Sequence, residues 1–176
     1  MIKQDQKPLL FLDVDGVISL FGFREGYGLA AGNAPFEGCP PGRLHSINGV
    51  MHYISTDCAA HLERLGRRFE MVWATGWEET ANEHLPHLLG LPEHLPHLTF
   101  DGRVSAGAAH WKIDAISEYA QARPLAWIDD NVDDSCHAWA RVRPAPTLIV
   151  ETVRHEGMRD DHVELLLGWA DELTSR

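Results

Sequence analysis

Apolar residues gather in four short runs along the chain: LLFLDV (9–14), EMVWAT (70–75), PLAWID (124–129) and PTLIVE (146–151). Each is apolar on both faces and bounded by turn formers, the pattern of strands buried inside a parallel sheet. Between the runs the period lengthens. In STDCAAHLERLGRRF (55–69) a Ser-Thr start precedes Ala59, Leu62 and Leu65 on one side of a helix. WKIDAISEYAQA (111–122) gathers Ile113, Ile116 and Ala120, and DSCHAWARVR (134–143) and DDHVELLLGWADEL (160–173) supply two more helices. Strands alternating with helices predict an α/β fold: a three-layer, Rossmann-like parallel sheet with helices on both faces.

Two segments interrupt this alternation. Residues 18–55 are rich in Gly and Pro, and Asn48-Gly49 stands between two extended stretches in RLHSINGVMHYIS (43–55). That dipeptide is a strong hairpin signal, so a small β-hairpin flap is expected beside the end of the first strand. Residues 77–110 form a second small insertion, in which EHLPHL occurs at 83–88 and again at 93–98. His84, His87, His94 and His97 offer imidazoles for zinc. The simpler reading is a turn region in which Pro86, Pro92 and Pro96 break the helix and the leucines pack. Neither insertion has the length of a large cap, and 1–176 reads as a single domain.

Composition narrows the function. A net charge of −11 argues against a generally nucleic-acid-binding surface; Arg64, Arg67 and Arg68 read as a solvated helix face. Cys39, Cys58 and Cys136 are odd in number and lack metal-type spacing. The polar start MIKQDQKP does not resemble an export signal, and no apolar run reaches membrane-span length. The expectation is a soluble, cytoplasmic protein with no membrane partner.

The chemistry collects at strand ends. Asp13 and Asp15 close the first run, one residue apart, where a buried strand should still add apolar residues. Two like charges side by side are costly away from water, so a cation or a reaction is implied. Strand periodicity places both on one face, at the carboxyl end where α/β sheets bind ligands. Thr75 ends the second run, and Gly76 and Trp77 would open a helix whose free amides suit a phosphate oxygen. Asp129 and Asp130 end the third. Four converging carboxylates require compensation, and hard oxygen ligands without Cys or His select Mg²⁺. Lys112, at a helix start, could add positive charge. Trp77 and Trp111 adjoin these residues and could stack on a base, although packing is the commoner fate of a Trp; Trp73 and Trp127 read as core. Arg154, His155 and Arg159 lie in a late loop from which they could reach a substrate.

This ordered set resembles the haloacid dehalogenase (HAD) superfamily. FLDVDGV is similar to its first motif, MVWATG to the second, Lys112 in HWKIDAI to the third and LAWIDD to the fourth, over about Leu9 to Asp134. The words WATGWEETAN and PLAWIDD also resemble small bacterial hydrolases that include the phosphatase-like domain of Swiss-Army-knife RNA repair proteins. The resemblance implies an Mg²⁺-dependent phosphohydrolase working through an aspartyl-phosphate. It makes Asp13 the nucleophile and Asp15 the general acid, then base, with Thr75 and Lys112 completing the catalytic set. Thr75, Gly76, Lys112 and Trp77 would face the phosphate. The metal would rest on Asp13, the backbone carbonyl of Asp15, and Asp129 or Asp130, with Asp130 the expected direct ligand and Asp134 further out. An open site suits a bulky phosphorylated substrate such as a nucleic-acid end. A phosphotransferase and a non-catalytic Mg²⁺- and phosphate-binding module of the same fold are the alternatives.

Overall fold

The computed structural model describes residues 6–23, 39–91, 94–101 and 109–175. The four apolar runs become β1 (Leu9–Leu12), β5 (Glu70–Trp73), β6 (Leu125–Asp129) and β7 (Thr147–Glu151). They form one all-parallel sheet in the order β5-β1-β6-β7, with β1 at its centre. Alternation along the strands sorts the core into two layers. Leu10 and Leu12 of β1, Trp73 of β5 and Ala126 and Ile128 of β6 face one side. Leu9, Phe11, Val72, Leu125 and Trp127 face the other.

Helices cover both faces. Against the first layer pack α1 (Asp57–Gly66) through Cys58, Leu62 and Leu65, α2 (Thr80–Leu89) through Ala81, Leu85 and Leu89, and α5 (Asp160–Thr174) through Val163, Leu166 and Ala170. Against the second pack α3 (Ile113–Ala120) through Ile116 and Ala120 and α4 (Asp134–Val142) through Cys136 and Trp139. Each fully buried side chain of Leu or Phe size stabilises the fold by about 1.5–3 kcal/mol, so this two-sided burial makes the β1 scaffold rigid. The expected three-layer architecture is the one observed.

The flap is a second, antiparallel sheet, β2 (Ser19–Leu20), β4 (Val50–Ser55) and β3 (Gly42–Ile47), in the order β2-β4-β3. Asn48 and Gly49 both have positive φ, 51° and 80°, as the two-residue turn demands. The expectation of no large cap falls partly on residues 24–38 and 102–108, outside the described residues.

Three expectations need correction. The first EHLPHL copy is helical, because α2 runs through Pro86 and stops only at Gly90, whose φ is 64°. Proline forfeits one backbone donor there, and burial of Leu85, Pro86 and Leu89 offsets that loss. From His94 on, the second copy lies along the sheet edge: Trp73 N donates to Pro96 O at 2.8 Å and Leu98 N to Trp73 O at 2.9 Å, covering the free edge of β5. Asn82 of α2, just before the first copy, ties that helix to β5 and to the second copy, accepting from Trp73 Nε1 and Leu95 N and donating to Leu95 O. Second, α2 begins at Thr80, not at Gly76-Trp77; residues 76–79 form a turn, with Glu78 at φ 47°. Third, β1 ends at Leu12, so Asp13 and Asp15 escape strand alternation.

Candidate active site

Parallel pairing fixes which residues meet at the sheet's carboxyl edge. Leu12 stands opposite Trp73 on one side and Ile128 on the other. The next residues therefore bring Asp13 beside Asp129, with Thr75 just beyond the end of β5. Asp13 N still donates to Ile128 O at 3.1 Å, so the ladder holds its backbone in place. The chain then folds into a tight turn: Val17, Ile18 and Ser19 N all donate to Val14 O. Gly16, at φ 76°, is required in it, because a Cβ there would lie 2.3 Å from Asp130 Cγ.

Lys112 ends a single 3₁₀ turn, Ala109–Lys112, directly before α3. Its side chain is only 3% exposed, and Nζ lies 2.6 Å from Asp129 Oδ2 and 3.0 Å from Asp13 Oδ2. Burial alone would lower the ammonium's pKa; Asp13 and Asp129 overcome it and hold it above the ordinary lysine value. Burial pushes the Asp13 carboxyl up to about 7, Lys112 opposes that shift and Asp129 reinforces it. The Asp13 carboxyl is oriented through both oxygens, since Oδ1 accepts from Val14 N at 2.8 Å.

Asp129 is fully buried and its oxygens are engaged: Lys112 Nζ and Trp127 Nε1 on Oδ2, Asn131 N on Oδ1. Asp130 has a looser partner, Arg154 Nε at 3.6 Å from Oδ2. Burial and then Asp129 raise its pKa, against Arg154 and Lys112. One ligand oxygen from each of Asp13, Asp129 and Asp130 lies within 4.8 Å of the others. Three carboxylates face one buried ammonium, Lys112, and the half-exposed Arg154 guanidinium beside Asp130, which leaves the cluster with a net negative charge. A hard divalent cation fits that deficit and that all-oxygen donor set.

Asp15 is not in this cluster. Its side chain is 48% exposed; Trp77 Nε1 donates to its Oδ2 at 2.9 Å, and His52 Nδ1 stands 4.0 Å from its Oδ1. Thr75 is buried and its Oγ1 accepts from Trp77 N at 3.3 Å. Gly76 lies in the same turn. The side chains of Asp13 and Asp15 thus meet different partners. Asp134 is exposed in the first turn of α4 and outside the cluster. The capping role there falls to Asp133, which accepts from Ser135 N and Cys136 N.

Two residues outside the four motifs that frame the site were not foreseen. Thr152 N donates to Asp129 O, and its Oγ1 to Gly16 O at 2.9 Å, tying the fourth-motif strand end to the first-motif turn. His52, from β4 of the flap, meets Ser19 Oγ at 3.0 Å and sets its ring edgewise to Trp77 at 4.6 Å. Nothing in local sequence marks these residues, because only the packing of the flap and the β7 loop brings them here.

Trp111 packs edgewise on Phe100 at 4.5 Å in the second core layer, with Lys112 Nζ 5.3 Å from its ring centroid. The remaining candidates lie apart. His97 and His94 approach Glu79, at 2.9 and 4.0 Å, and the acidic trio is the one metal-type grouping among the described residues. Arg64, Arg67 and Arg68 pair with Glu164, Glu63 and Asp171, and Arg159 with Glu156 and Asp161.

A family model of the HAD domain in Swiss Army Knife RNA repair proteins matches residues 9–163, nearly the whole of the sheet and its helices. The chain belongs to this HAD family. Comparison with curated proteins gives no match. The four segments singled out in the sequence lie at the ends of β1, β5 and β6 and at the entrance to α3, and the superfamily is one of hydrolase and phosphatase type. No helix among the described residues is long and apolar enough to cross a membrane.

Proposed function

We propose that this HAD domain is an Mg²⁺-dependent phosphohydrolase that cleaves phosphomonoesters through a phosphoryl group carried on Asp13. The observation that carries the reading is the buried Asp13 carboxyl, fixed by Lys112 and Val14 N beside Asp129 and Asp130. Asp13 and Asp130 are the side chains that would hold the metal, alongside the Asp15 carbonyl, with Asp129 close behind them. Bound there, Mg²⁺ supplies electrostatic stabilisation of the charge that builds on the phosphoryl oxygens.

The residues divide the remaining work. An oxygen of Asp13 attacks phosphorus in line with the departing ester oxygen. Asp15 gives that oxygen its proton, then takes one from the water that attacks the phosphoryl-Asp13. Lys112 holds Asp13 aligned and offsets charge at a buried site, where a fixed cation acts strongly. Thr75 and the turn at Gly76 offer a hydroxyl and amides to phosphoryl oxygens.

The substrate we favour is a terminal phosphate on a bulky group, an RNA end foremost. The family description supports it, as do the half-exposed Asp15 and Arg154 at the site's mouth. The acidic surface disfavours a groove that tracks a strand, so a terminus suits the site better than an internal stretch. The free cysteines suit a reducing, cytoplasmic setting.

The test is phosphate release from 3′- and 5′-phosphorylated oligoribonucleotides and small phosphomonoesters, with Mg²⁺ and with EDTA. Metal-dependent release that is greatest on an oligonucleotide end supports the reading. Metal-dependent binding of these compounds without release on any of them overturns it.

A further inference from the structure

Asp15 poses a problem that the site described so far does not solve. Its side chain is about half exposed, whereas that of Asp13 is sealed, and it pairs with no cation of the cluster. A solvent-facing carboxyl samples several rotamers and points either oxygen at a substrate, which a proton donor cannot tolerate. Trp77 removes that freedom. Its indole Nε1 donates to Asp15 Oδ2 at 2.9 Å. The ring is itself held: it packs on the first core layer, its backbone N donates to Thr75 Oγ1, and the His52 ring meets it edgewise at 4.6 Å. His52 in turn is anchored to Ser19 Oγ at 3.0 Å.

We infer that Trp77 is the positioning residue of the proton donor, tying Asp15 by Oδ2 so that Oδ1 faces the leaving oxygen. Indole nitrogen is a donor only, so the oxygen it addresses serves as an acceptor and the transferable proton resides on the other. His52 Nδ1, 4.0 Å from Oδ1, lies outside hydrogen-bond range and does not compete for it. As the bond from phosphorus to the leaving oxygen breaks, the freed electron pair takes the proton from Oδ1, and an Asp13 oxygen supplies the pair for the new bond to phosphorus. This assigns Trp77 to Asp15, not to a stacked base. The inference rests on Asp15 being the general acid of the proposed reaction.

The experiment compares native protein, Trp77→Phe, Asp15→Asn and a variant with 3-benzothienylalanine at 77, which keeps the ring's shape and removes only the N–H. Substituted phenyl phosphates, from nitro to methyl, vary the acidity of the leaving phenol at nearly constant size. The expected result is a steeper dependence of kcat on leaving-group acidity in both Trp77 variants. The loss would be tenfold or more, roughly, on the methyl compound and minor on the nitro compound, where protonation is scarcely needed. Asp15→Asn shows the same slope, amplified. A benzothienyl variant with native slope, or one slowed equally across the series, overturns the assignment of Trp77 even if Trp77→Phe folds poorly. Loss without a change of slope in Asp15→Asn, or no turnover by native protein, removes Asp15 as acid and so identifies failure of the underlying reading.

Discussion

Lys112 Nζ stands 3.0 Å from Asp13 Oδ2, and both side chains are buried. The ammonium is the only buried cation among the described residues, and it also holds Asp129 at 2.6 Å. Lys112→Met removes the charge and keeps the length. Breaking a buried pair costs roughly 3–5 kcal/mol, since it strands the partner's charge. Chemical denaturation of the metal-free protein should show a loss of this order at pH 8, shrinking towards pH 5 as Asp13 takes up a proton. A loss that is the same at both pH values would contradict it.

The raised Asp13 carboxyl sets a second expectation. Its pKa in the folded protein is about 7, against 3.8 for the free group, so the folded state binds more protons between those values. The stability it contributes is full below about pH 4 and is lost as pH rises through 7. Without metal, the melting temperature should fall from pH 5 to pH 8, and Asp13→Asn should flatten that slope. Mg²⁺ selects the deprotonated carboxyls, so it should raise the melting temperature more at pH 8 than at pH 5. Thermal melts with and without Mg²⁺ check both signs.

Asp129 and Asp130 should separate by role. The oxygens of Asp129 are occupied by Lys112, Trp127 and Asn131, while Asp130 forms a looser ion pair with the half-exposed Arg154 at 3.6 Å. Asp129→Asn should therefore destabilise the fold by about 1–3 kcal/mol through lost buried hydrogen bonds. Asp130→Asn should leave stability nearly unchanged and weaken Mg²⁺ binding tenfold or more, roughly, as removal of a direct ligand does. Calorimetric titration of Mg²⁺ beside denaturation of each variant tells them apart.

Gly16 is the tightest point of the first-motif turn. Alanine there adopts φ 76° at a cost of about 1–2 kcal/mol and drives its Cβ into Asp130. Gly16→Ala should lower the melting temperature by about 4 °C or more and weaken Mg²⁺ binding by displacing Asp130. Unchanged metal affinity would mean that Asp130 is not held where the cation needs it.

Much of this architecture could be read from residues alone, for local reasons. The runs at 9–12 and 125–129 are apolar on both faces because helices cover both, and Asn48-Gly49 turns a hairpin through its own backbone. Asp13 and Asp129 were legible because each is a charge closing an apolar run, whereas Lys112, at a helix start where a lysine is commonly solvated, was picked out only by its place among them. What was illegible depends on contacts between distant segments. The α2 helix tolerates Pro86 because Leu85 and Leu89 are buried on a core built by other strands. Asp13 and Asp15 lie beyond the strand because β1 stops at Leu12, which no alternation rule foretells. His52 reaches Asp15 only when the flap folds back, a pairing of residues 37 positions apart.

The central claim is that Asp13 carries the phosphoryl group in turnover. Mass spectrometry of peptides from the protein, acid-quenched within the first turnover on a phosphomonoester with Mg²⁺, measures this directly. The account predicts a phosphoryl adduct on Asp13 of the native chain and neither adduct nor phosphate release from Asp13→Asn. Release at native rates by Asp13→Asn, or an adduct on any other residue, would contradict it.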